Sequence, residues 1–115
     1  MTDRPGKKWL LAFIAKDIEA IEDVKRLVEL RAVIRANMKM FGVKERRIND
    51  RDSVRSKYEY HTNSQIAVIE SEIRDVIRTL PIPVEGGTLD KQIETLFKRS
   101  RILTDMKKKV EKVRL

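Results

Sequence analysis

The chain contains no cysteine. That absence excludes a disulfide framework, a thiol nucleophile and a thiolate zinc site. One histidine, His61, is too few for a histidine-rich metal centre. Aromatic residues amount to only 5%: Trp9, Phe13, Phe41, Tyr58, Tyr60 and Phe97. With so few rings any base-stacking surface must be sparse, and the core must be aliphatic. The four glycines and three prolines gather at Arg4-Pro5-Gly6, Phe41-Gly42 and Pro81 to Gly87, so the chain has few punctuation points. Long apolar runs are also missing. The longest, Trp9 to Ala15, has seven residues between Lys7-Lys8 and Lys16-Asp17, whereas a bilayer span needs about 20. Its shortness and the charges that follow at once also argue against a secretory signal. Asparagine and glutamine are scarce beside Lys, Arg, Glu, Ile and Val, a thermophile-like composition.

What remains is charge and aliphatic periodicity. The 115 residues, enough for one domain with a modest core, include 26 Lys and Arg against 18 Asp and Glu, a net charge of +8. Leu10, Ile14, Ile18, Ile21, Val24 and Val28 recur at spacings of three and four, continued by Leu27, Ile34, Met38 and Phe41. This pattern predicts a helix over about 8–41, with Gly42 as its C-terminal stop. A second stripe, Ile66, Ile69, Ile73, Val76 and Leu80, predicts a helix over about 54–80; capping-box spacings at Ser56 to Glu59 and Thr62 to Gln65 leave its start open. Pro81 and Pro83 end it, because the residue before a proline is pushed to extended geometry. After the linker 81–87, Thr88 can cap a helix over about 89–113. There Leu89, Leu96, Leu103 and Val110 repeat every seven residues, with Ile93 and Met106 beside them. This coiled-coil-like seam can pack within the chain or between chains. The expected fold is therefore all-α: one domain over 1–115, an elongated bundle or extended hairpin of three to four long helices. Helices this long in so short a chain offer each other little cover, so self-association is expected.

Function is read from the charge. Wound at 100° per residue, the last helix places Lys91, Lys98, Arg101, Lys108, Lys109 and Lys112 within roughly 100° of one another, opposite the apolar seam. From Thr88 onward nine basic residues face four acidic ones, a surplus of +5, whereas His61 to Gly87 carries −2. Pairs such as Glu94 with Lys98, or Asp105 with Lys108 and Lys109, account for a few of these cations as an ordinary solvated face. The remainder suit a phosphate backbone, where each neutralised phosphate releases counterions. Lysine does not read base edges the way bidentate Arg, Asn or Gln do, so sequence-independent contact is expected. Arg47, Arg51 and Arg55 step by four and form a second cluster, interleaved with Glu45, Asp50 and Asp52. Tyr58 and Tyr60 follow, as edges of the core before they are stacking platforms.

Other chemistry finds little support. Met40 to Ile48 echoes the turn of a helix-turn-helix, but Met38 and Arg51 stand where a small and an apolar residue are wanted. Gly86-Gly87 lacks the Lys and Ser/Thr of a phosphate loop. Asp50 with Asp52, and Glu70 with Glu72, are two apart and share no helical face for a magnesium ion. Trp9 and Phe13 beside Lys7 and Lys8 suit a bundle end better than a membrane surface. The expectation is a non-enzymatic, oligomeric structural protein that coats or packages nucleic acid, DNA or RNA, or serves as a small subunit of a nucleoprotein complex. No cofactor, metal or membrane insertion is expected, and the location is intracellular (cytoplasmic) or within a virion. The alternatives are a helical protein-interaction or assembly module, and a small helical enzyme that holds an anionic metabolite with arginines.

Overall fold

A computed structural model describes residues 6–46 and 57–113. They form three helices, α1 (Lys7–Met40), α2 (Lys57–Arg78) and α3 (Leu89–Lys112). The described residues are 82% helical, with no strand among them. The expected extra residues of the second helix, 54 to 56, lie outside the described residues, as do Arg47, Arg51 and Arg55.

Each helix end has a local cause. At the end of α1, Gly42 takes a positive φ of 69°, a conformation without penalty for a residue lacking Cβ. This lets Val43 N–H reach the Met38 carbonyl at 2.8 Å and Gly42 N–H the Lys39 carbonyl at 3.2 Å. These are the two bonds of a Schellman motif. Thr62 does not start α2. It lies one turn inside, and its hydroxyl donates back to the Tyr58 and Glu59 carbonyls. Thr88 caps α3 by accepting from Lys91 N–H at 3.2 Å, after a corner in which Gly86 and Gly87 both have φ of 77°.

α1, 34 residues and about 51 Å long, is the spine. α2 runs antiparallel along its C-terminal half: Asn63 bonds the Lys44 carbonyl and Arg46 N–H, and Glu70 reaches Arg31. The linker then doubles back, and α3 starts beside Arg31 through Asp90. It descends past Asp17 at Arg99 and ends where Lys7 Nζ donates to the Glu111 and Val113 carbonyls. α2 and α3 thus run parallel to each other, both antiparallel to α1, and overlap only near its middle. The molecule measures 67 × 26 × 20 Å, an elongated bundle.

The core is aliphatic. Ile14, Ile21 and Val24 of α1 meet Ile69, Ile73 and Ile77 of α2 and Ile93, Leu96 and Leu103 of α3. The seam of α3 therefore packs on α1 of its own chain. Ser100 is buried in it, while Met106 stays exposed. No ring is fully buried: Trp9 and Phe13 stack on each other, centroids 5.6 Å apart, and Trp9 is exposed.

Candidate nucleic-acid interface

The apolar seam fixes which way α3 faces. With Ile93, Leu96 and Leu103 against α1, the opposite side must meet water. Lys91, Lys98, Arg101, Lys108, Lys109 and Lys112 are all exposed there. The helix holding them is unbroken over 24 residues, so the stripe from Lys91 to Lys112 extends about 31 Å. Among the described residues, Lys98 alone of the six has a carboxylate within ion-pair distance, Glu94 at 3.4 Å. The anticipated pairs of Asp105 with Lys108 and Lys109 are not formed within that distance. The anchoring of α3 is firm at both ends: the Thr88 cap at one, and the Lys7 ammonium on the last carbonyls at the other.

One cation of the region turns the other way. Arg99 lies between stripe and seam on the helical wheel, and its guanidinium folds onto Asp17 of α1, with Nη2 3.4 Å from Oδ1 and Nε 3.3 Å from Oδ2. Nη2 also donates to the Ile82 carbonyl at 2.9 Å, pinning the linker. Asp17 is 0% exposed, and burial pushes its pKa up even though the Arg99 charge pulls it down. Sequence reading missed this pair. The signal was the position of each residue at the edge of an apolar stripe, one per helix, with opposite charges.

A buried cation, Arg31, sits where the three helices converge. Nη1 donates to Glu70 Oε2 at 2.7 Å and Nη2 to Asp90 Oδ1 at 3.0 Å. Arg35 forks onto Glu45 through Nε and Nη2, at 2.9 and 2.8 Å. Those hydrogen bonds raise its pKa, against an opposing effect of burial. Arg46 pairs with Glu59 at 2.6 Å. These arginines hold helices and loop together, leaving α3 as the described element whose cations face outward in a row.

The remaining sequence candidates are dispersed. Tyr58 meets the Phe41 ring edge-on at 5.5 Å, and Tyr60 meets His61 at 5.7 Å, with all four exposed. Glu70 is used by Arg31, and Glu72 points to a groove on the other flank of α2. Among the described residues no three His, Asp or Glu side chains converge as metal ligands, and no helix is long and apolar enough to cross a membrane. Comparison of the chain with protein-family models, with curated proteins and with solved structures gave no match.

Proposed function

We propose that the protein is a non-enzymatic structural binder of nucleic acid, which α3 grips through the phosphate backbone without sequence preference. One observation carries the reading: six cations stand in a row on the solvent side of one continuous, doubly anchored helix, and only Lys98 has a carboxylate partner among the described residues. Lysines held in a straight row of about 31 Å match one turn of a duplex, roughly 34 Å. They act as point charges on phosphates and do not discriminate bases. A chain of net charge +8 also associates faster with a polyanion. Such a protein coats, packages or forms a small subunit of a nucleoprotein complex, inside a cell or a virion.

The test is a salt titration of binding to random-sequence DNA and RNA. Affinity is expected to fall linearly in log–log form. The combined substitution of Lys98, Arg101, Lys108 and Lys112 by Gln should lower affinity more than about tenfold. It should also flatten the slope by about 0.9 for each phosphate that is no longer neutralised. Absence of binding at low salt, or binding indifferent to this variant, overturns the proposal. Either result favours the assembly-module reading, in which the same cations serve solubility.

A further inference from the structure

α3 starts beside Arg31, so among the described residues the outer half of the α1–α2 hairpin has two helices where the middle of the molecule has three. On the flank of that hairpin away from α3, a groove of about 500 Å³ runs between α1 and α2. Leu30 and Ile34 form one wall, and His61, Gln65, Val68 and Glu72 the other. The Phe41 and Tyr58 rings extend this strip to the hairpin end. On each helix these residues recur at spacings of three and four: Leu30, Ile34, Asn37, Phe41 on one and Tyr58, His61, Gln65, Val68, Glu72 on the other. Each set is therefore a second helical stripe, separate from the one that faces the core.

We propose that this flank is the interface of a symmetric homodimer, in which two hairpins complete a four-helix arrangement. The inference stands apart from the polyanion reading, because it uses none of the α3 cations.

Three observations select a second copy as the occupant. The first is area. Leu30 and Val68 are 50% and 57% exposed, and Phe41 and Tyr58 are 67% and 42% exposed. These side chains present on the order of 500 Å² of mostly apolar surface. A standard interface hides roughly 800 Å² per partner, a little over half of it apolar. The second is repulsion. Two chains of charge +8 resist contact, yet among the described residues this groove has no lysine or arginine in its lining. Another exposed apolar pair, Ile102 and Met106, is set among Lys98, Arg101 and Lys109, where a second copy would be repelled. The third is self-complementarity. His61 and Glu72 stand about 16 Å apart on one face of α2, symmetric about the midpoint of Gln65 and Val68. A two-fold axis through that midpoint lays the two α2 helices antiparallel. It sets each His61 against Glu72 of the other copy, as an isologous contact requires.

Sedimentation equilibrium of the full chain at micromolar concentration tests the interface. The expected mass is twice 13.5 kDa. Leu30→Asp and Val68→Asp should sediment as monomers while keeping their helical circular dichroism. Glu72→Lys alone places a cation against His61 and should weaken the dimer by about tenfold or more. Combining it with His61→Glu should restore dimerisation, and this rescue distinguishes a broken contact from a failure to fold. A wild-type monomer leaves the flank to some other partner and overturns the inference. A dimer indifferent to Val68→Asp and Glu72→Lys overturns it equally. Because the variants leave α3 intact, their DNA binding reports on the polyanion reading separately.

Discussion

At the scale of single residues, the buried ions are the costly features. Asp17 is fully enclosed, and its contacts with Arg99 are 3.3 and 3.4 Å long, with Nε and Oδ2 lacking a hydrogen-bond partner. Removing one member strands the other charge, which costs about 3–5 kcal/mol for a well-buried pair, whereas apolar replacement of both is often neutral or better. Arg99→Met alone is therefore expected to destabilise markedly, and Asp17→Leu with Arg99→Met to recover most of the loss, as measured by urea denaturation. The pH dependence follows from the direction of the Asp17 shift. Its pKa in the folded chain lies above the ordinary carboxylate value, so the folded state keeps this proton after the unfolded state has lost it. Stability contributed by this group is thus full below the ordinary value and declines as pH rises through the interval up to the raised one. Asp17→Asn should remove that part of the acid-side dependence.

At the scale of helices, Arg31 fixes the relative positions of all three. Its guanidinium is buried, Glu70 is half-buried and Asp90 is exposed. Solvent screening makes the Asp90 contact worth little, within about 0.5 kcal/mol, while the shorter and more enclosed Glu70 contact carries more. Glu70→Gln should therefore lower stability by more than Asp90→Asn, and Arg31→Ala by most, since it strands Glu70 and opens a cavity. Thermal denaturation of the three variants gives the order. The helices themselves were legible in the sequence. Spacings of three and four among the isoleucines, Gly42, Thr88 and the two prolines are local signals, and each depends only on residues a turn or so apart. The Arg31 clamp was not legible, because Glu70 and Asp90 come to it from two other helices.

At the scale of the whole molecule, uneven cover predicts uneven stability. Around Ile21, Val24, Ile73 and Leu96 three helices enclose the core, whereas past Arg31 α2 is the one described helix that lies on α1. Amide exchange should be slowest at the first group and faster over residues 34–38. If the proposed dimer forms, the difference should widen in a monomeric variant such as Val68→Asp, where no second copy would cover the hairpin. Exchange that is uniform along α1 in that variant would contradict the gradient, and a difference no wider than in the wild type would contradict the proposed dimer.

The sequence by itself determined the three helices, their aliphatic core and the cationic side of α3, because hydrophobic period and helical wheel are properties of neighbours along the chain. Tertiary structure alone decided that the seam of α3 closes onto α1 of its own chain, that Arg99, at the edge of the row of cations, folds onto Asp17, and that an apolar flank without a lysine or arginine among the described residues is left on the hairpin. The reason is geometric: each of these outcomes depends on where a helix lies against another one far away in sequence, and the linker returning to Arg31 sets that placement.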